Sequence, residues 1–229
     1  MKYISPILSD ARNTLGGSVA SKNRAGNYFR ARVAPVQPRS VAQQQVRALL
    51  ATLAGQWKAL TAAQIAGWNT LASGITLSDS LGNSYSPTGE NLYVGNNVNL
   101  QQTGQTLISN PPAQRPDFAD ITPLTPAAAA GAATFTVETG AAAAPAGSVF
   151  LVEATAQMSA GISYIGTSTY RVIGHFAGST YASINIKADY VARFGALVAG
   201  AKIAVRVSLV DTATGFQSTP ATATTIVAA

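Results

Sequence analysis

The stretch "AKIAVRVSLVD", residues 201–211, decides how the second half of the chain is read. Ile203, Val205, Val207 and Leu209 alternate with Lys202, Arg206 and Ser208. Successive side chains of an extended chain point to opposite sides, so this spacing gathers the aliphatic groups on one face of a strand. Runs of the same kind lie on both sides: "ATFTVET" (133–139), "SVFLVEATA" (148–156), "TYRVIGHF" (169–176), "YASINIKA" (181–188) and "ATTIVAA" (223–229). Strands this short, spaced about ten residues apart and separated by turn residues, predict a β-sandwich of immunoglobulin or fibronectin type III kind over residues 124–229. Within it "ADYVARFG" (188–195) is expected to form a helical turn, and "AAAAPAG" (141–147) a low-complexity connector.

Moving back along the chain, "SNPPAQRPDFADITPLTP" (109–126) contains five prolines, and residues 109–123 are expected to be a linker. Before it the apolar period changes from two to between three and four. Ser40 and Gln43 have the capping-box spacing, and Val46, Leu49, Leu50, Leu53 and Trp57 follow as one amphipathic stripe, predicting a helix to about Leu60. Thr61 and Gln64 repeat the cap before Ile65, Trp68 and Leu71. The two segments read as an antiparallel helix pair with Trp57 and Trp68 in one small core; a ligand platform is the alternative for the indoles. "SGITLSDSLGNSYSP" (73–87) reads as an irregular loop with a short hairpin about "LGNS", and "GENLYVGNNVNLQQTG" (89–104) as a third helix stopped by Gly104. Its glycine and four asparagines are poor helix formers. The helical region is thus expected over 40–108, and the whole chain is α+β.

The first thirty-nine residues are expected to be a basic extended arm with a β-hairpin. "GGSVASK" and "NYFRARV" flank the turn-like "NRAG" (23–26). Alternation puts Tyr28, Arg30 and Arg32 on one face and Phe29, Ala31 and Val33 on the other, a cationic side and an apolar side, with Phe29 assigned to the core. Pro35 and Pro38 then hold the exit extended. The charge of the protein is concentrated here. Residues 1–60 carry nine Lys or Arg against Asp10 alone, a balance of +8 within the formal +6 of the whole chain. The remainder, with six basic and eight acidic residues, is nearly neutral. The first quarter is therefore the candidate surface for an acidic partner.

Residues suited to chemistry are sparse. There is no cysteine and one histidine, His175, which is expected to be structural. Asp117 and Asp120 fall short of the six to eight oxygens that calcium takes. No nucleophile with a base, metal set or phosphate loop stands out, so neither catalysis nor a metal or other cofactor is expected. The opening "MKYISPILSDARN" predicts no signal peptide, and no run approaches a membrane span, so the chain is expected to be soluble, made in the cytoplasm and without a membrane partner. For the hairpin three readings stand. Lys22, Arg24, Arg30 and Arg32 can neutralise phosphates while Tyr28 or Phe29 stacks on a base. They can fork onto carboxylates of a neighbouring subunit. Or the hairpin is merely solvated. Cations at Arg12, Arg39 and Arg47 spread along an arm, which favours docking over groove reading.

Several of these stretches together resemble structural proteins of bacteriophage and prophage virions. The matching residues are "GGSVASKNRAGNYFRARVAPVQPRSVAQQQVR" (16–47), "QWKALTAAQIAGWNTLA" (56–72), "GENLYVGNNVNL" (89–100) and "YVARFGALVAGAKIAVRVSLVDTATGFQS" (190–218). The resemblance implies a virion structural role, in a particle assembled in the host cytoplasm. The expectation drawn from it is a head decoration or cement protein, in which Lys22, Arg24, Tyr28, Arg30, Arg32 and Arg39 dock on the major capsid protein or another virion subunit, as part of a homo-oligomer or symmetric assembly. A tail or head-to-tail component, a DNA-binding protein and a host-receptor module are the alternatives.

Overall fold

The computed structural model describes residues 11–24, 26–34, 36, 39–79, 81–118, 120–140, 147–177 and 183–229. The fold is mixed α+β, with four helices and several antiparallel sheets. It divides into two compact units: residues up to Gly95 together with Ser109–Ala113, and Asn96–Ile108 together with Gln114–Ala229.

In the first unit, strands β1 (Asn13–Leu15), β2 (Ser18–Asn23) and β3 (Gly26–Ala31) form an antiparallel sheet in that order. The hairpin falls where the sequence places it, with Asn23 opposite Gly26; β1 is an addition, and Gly16, at φ +57, supplies the left-handed turn into β2. Helices α1 (Val41–Ala59) and α2 (Ala62–Ser73) follow. Ser40 Oγ accepts from Gln43 N at the start of α1, and Thr61 and Gln64 form the reciprocal capping box of α2. The short pair β4 (Leu77–Ser78) and β5 (Ser84–Tyr85) is the hairpin expected around "LGNS", tied by the Asp79 carboxylate to the amides of Leu81 and Asn83. Helix α3 (Gly89–Gln102) begins in this unit.

The core of the first unit is small and aromatic. Trp68 is fully buried, its ring edge-on to Tyr93 at 5.5 Å, and its Nε1 donates to the Ser109 carbonyl at 2.9 Å. Trp57 is half-buried and meets the same tyrosine at 5.5 Å, so the two indoles share Tyr93 between them. Leu53 and Ala72 complete the packing. Pro111 lies against Gly67, and Gln64 Nε2 donates to Asn110 Oδ1, so the first residues of the proline-rich run pack on α2 as part of the helical unit.

In the second unit, β6 (Thr125–Ala128), β7 (Phe135–Glu138) and β10 (Ile184–Asn185) form a sheet ordered β10-β7-β6. Strands β8 (Ser148–Ala154), β9 (Arg171–Ala177), β11 (Lys202–Asp211) and β12 (Ala221–Ile226) form a second, ordered β12-β11-β8-β9. Phe135 and Val137 from the first sheet share one core with Phe150, Val152, Ile203, Val205, Val207 and Leu209 from the second. The β6 strand, unassigned in the sequence, has Pro126 within it; it is a sheet edge, where a missing N–H is tolerated. The expected strand "YASINIKA" reduces among described residues to Ile184–Asn185, because Asn185 Oδ1 turns to accept from Phe135 N and Lys187 N and starts α4 (Lys187–Phe194). That helix buries Tyr190, which packs edge-on against Phe135 at 5.3 Å and donates to the Thr155 carbonyl at 3.0 Å. Burial raises the pKa of its phenol far above the ordinary tyrosine range.

Strand β11 departs from simple alternation of environment. Ala204, Ser208 and Val210, on the face away from the core, are also fully buried. Asn96–Ile108 packs on that side: Gly215 lies against the Asn96 carbonyl and Leu100, Asn99 Nδ2 donates to the Gly215 carbonyl, and Gly104 abuts His175. Ser208 is itself bonded to Gln217 Nε2 at 2.7 Å. At the other end of the face Arg206 and Glu153 form an ion pair at 2.6 Å, with the guanidinium 4.8 Å from the Tyr170 ring centre.

Candidate docking surface

The register of the N-terminal sheet fixes where its cations point. Arg30 lies opposite Val19 and Tyr28 opposite Ser21, so these side chains share one face. Arg32, whose N–H donates to the Gly17 carbonyl at 2.8 Å, continues that alternation. Lys22 lies opposite Asn27 and therefore shares the other face with Ala20 and Phe29. The division into a cationic and an apolar side is thus corrected: Lys22 sits on the side read as apolar. Val33, read as apolar-side packing, is 73% exposed. Ala20 is the one fully buried side chain of the sheet among the described residues, and Phe29 is half-buried against it from the facing strand.

The cations form two groups along the hairpin. At the turn end Arg12, Lys22 and Arg24 border an open groove of about 570 Å³ floored by Ala20 and Ser21. At the open end stand Arg30 and Arg32, both exposed, with Tyr28 half-buried beside them. Arg39, just before α1, is also exposed and adopts φ +51, with its carbonyl accepting from Gln44 Nε2 at 3.1 Å. Five of the six residues expected to dock are therefore cations displayed on a short sheet and the residue before a helix, and no acidic residue occurs from Arg12 to Leu60.

Sequence periodicity did not reveal the state of α1. Along its amphipathic stripe Val46 is 57% and Leu50 43% exposed, while Leu53 is fully buried. The stripe therefore enters the core only at its C-terminal half. From residue 11 to residue 52 Ala20 is the single buried side chain among those described. The signal for this in the sequence is the run Gln43, Gln44 and Gln45, which makes the first turns of the helix polar around the stripe.

Elsewhere, polar groups are spent on structure. Asp120 accepts from both the amide and the hydroxyl of Thr122, and these bonds lower its pKa. With Asp117, Arg115, Phe118 and Ser218 it lines an open groove of about 500 Å³. His175 is exposed at the surface of β9. No group of three His, Cys, Asp or Glu able to hold a metal occurs among the described residues, and no helix among them is long and apolar enough to cross a membrane. In the second unit the loop after β8 displays Tyr164, 86% exposed, and Ile162, 40% exposed, with Gln157 bridging to Ala196 and Val198. No family model, curated protein or solved structure matches the chain.

Proposed function

We propose that the chain is a structural subunit of a tailed-phage particle, a head decoration protein that docks on the major capsid protein through its basic N-terminal quarter. The observation that carries this reading is the mismatch between order and burial in residues 11–52. Strands, a hairpin and three turns of helix are formed there, while Ala20 alone among the described side chains is buried. A three-stranded sheet gains independent stability from a buried apolar face, and this one has almost none. Its order is best supported by an external surface, and anything that binds only the ordered state stabilises it by mass action. The lack of acids from Arg12 to Leu60 selects a negatively charged surface, on which Arg24, Arg30, Arg32 and Arg39 can fork onto carboxylates.

The second unit supports the same reading. With β6, β7 and β10 lettered A, B and E, and β8, β9, β11 and β12 lettered C, C′, F and G, the sheet orders E-B-A and G-F-C-C′ support reading it as an immunoglobulin-type sandwich with α4 in the E–F connection. Such a module, nearly neutral and well packed, would project from the particle or meet its symmetry mates, and an array of weak contacts needs no active site. The exposed Tyr164 and Ile162 favour a second reading for that unit alone, contact with a host receptor.

Cosedimentation of the purified chain with expanded heads stripped of it, with detached tails and with free DNA, each at two salt concentrations, tests the proposal. Saturable binding to heads is expected, and the double variant Arg30→Glu, Arg32→Glu is expected to lose it while remaining folded. Binding to tails alone would move the chain to a tail component. Steeply salt-dependent binding to DNA alone would mean that the hairpin grips phosphate. Normal incorporation of the double variant would remove the hairpin's docking role.

A further inference from the structure

The apolar stripe of α1 runs past the edge of its own core. Leu53 and Trp57 lie in or against the aromatic cluster with Tyr93, but one turn and two turns earlier the same stripe presents Leu50 at 43% and Val46 at 57% exposure, and Val41 at the first helical position is 72% exposed. Leu49 beside them is half-buried. Two further features concern the same three turns. The first turn of α1 contains no acidic residue, so the positive end of the helix dipole is not balanced from within the helix. Arg39, just before the helix, is an exposed cation.

We infer that the first three turns of α1 are a docking helix, whose Val46–Leu49–Leu50 face seats in an apolar groove rimmed by carboxylates on the partner protein. The inference rests on the docking role proposed above and extends it from the hairpin to the helix. An amphipathic helix recognised in a groove is read through anchors three to four residues apart, which is the spacing of these side chains. Carboxylates on the rim would meet Arg39 and the positive end of the helix dipole. A second copy of this chain is disfavoured as the occupant, since it would bring a second set of cations to the same place. A lipid surface is disfavoured because the opposite side of the helix carries Gln44, Gln45 and Ala48 in place of the Lys and Arg of interfacial helices.

The chain has no cysteine, so Val46→Cys and Ala48→Cys each place one environment-sensitive fluorophore, on the stripe and on the opposite side of the helix. On titration with stripped heads, the label at position 46 is expected to shift to the blue and the label at position 48 to stay in water. Separately, Val46→Gln with Leu50→Gln is expected to weaken head binding at least ten-fold without changing the circular dichroism of the unbound chain. Unchanged binding of that variant, with a water-exposed label at 46, would overturn the helix inference; if Arg30→Glu, Arg32→Glu still abolished binding, hairpin docking would survive. Failure of the wild-type chain to bind heads or tails would remove the docking role and the inference together. A blue shift at 46 that needs only higher protein concentration, or anionic phosphatidylserine vesicles, would overturn the acidic-protein occupant in favour of a second copy or a membrane.

Discussion

Strand β11 and helix α1 have equally regular apolar spacing and opposite fates. Ile203, Val205, Val207 and Leu209 are fully buried, and the reverse face of the strand is covered as well. Val46 and Leu50, just as well placed for their helical period, face water. Spacing states which side chains share a face; it does not state what covers that face. Cover for β11 comes from both sheets of its unit and from Asn96–Ile108, whereas among the described residues before α1 only Ala20 is buried and Leu15, Val33 and Val36 are themselves exposed.

The sharpest way to break the comparison is to truncate the two stripes in parallel. Leu209→Ala or Phe150→Ala leaves a cavity in the core shared by the two sheets of the second unit and is expected to cost about 3 to 5 kcal/mol in urea unfolding followed by β-sheet circular dichroism. Leu50→Ala should cost less than about 1 kcal/mol in the unbound chain, since little transfer energy is lost from a half-exposed site. A cost for Leu50→Ala near that of Leu209→Ala would mean that α1 is covered within the chain itself. Next in size is Gly215→Ala. Gly215 stands at φ +72 and its missing Cβ faces the Asn96 carbonyl, so an alanine meets both backbone strain and a clash. The strain alone is worth roughly 1 to 2 kcal/mol. The variant is expected to loosen the cover of β11, seen as faster amide exchange at Ser208 and Val210; unchanged exchange would show that Asn96–Ile108 is dispensable as a lid.

These examples mark how far the sequence could be read. Helix starts were legible because Ser40 and Thr61 act locally, through bonds to residues three places on. Core strands were legible because alternation is local too. The third helix looked weak for its asparagines, yet Asn97 bonds both backbone groups of Ile108 and Asn99 bonds the Gly215 carbonyl, partners eleven and more residues away. Strand β6 hid behind its proline, since only the sheet order reveals that the position is an edge. In the candidate surface, the Arg30 and Tyr28 side was legible from parity within one strand. The placement of Lys22 was not, because it depends on the register across the hairpin.

A smaller effect arises at alkaline pH. Burial raises the pKa of the Tyr190 phenol, so between pH 10 and that higher value the unfolded chain has lost the proton and the folded chain keeps it. Stability from this group is complete below about pH 10 and declines as pH rises beyond it, by at most about 1.4 kcal/mol per pH unit. Tyr190→Phe should remove this decline at the expense of the bond to Thr155, about 1 kcal/mol at neutral pH. Tyr170 and Tyr93 are shifted in the same direction by burial, so a gentler slope is expected to remain. An unchanged alkaline slope in Tyr190→Phe would place the phenol in contact with water.

The smallest expected change tests whether the helical unit is held by its caps or by its aromatic core. Thr61 Oγ1 accepts from Gln64 N at 3.3 Å while Gln64 Oε1 accepts from Thr61 N at 2.9 Å, so Thr61→Ala removes one half of the box and leaves the other without its fixed geometry. The expected cost is about 1 kcal/mol, read from the Trp68 fluorescence transition in urea. Gln64 also reaches Asn110, so part of its position is secured from the proline-rich side. If Thr61→Ala costs only a few tenths of that, the Trp68, Tyr93 and Ser109 cluster alone fixes where α2 begins. If it costs the full amount, the start of α2 depends on a bond written within four residues of sequence. The exposed turns of α1 have only the one-sided cap of Ser40 and, among the described residues, no such core around Val46 and Leu50, and so depend more heavily on what covers them.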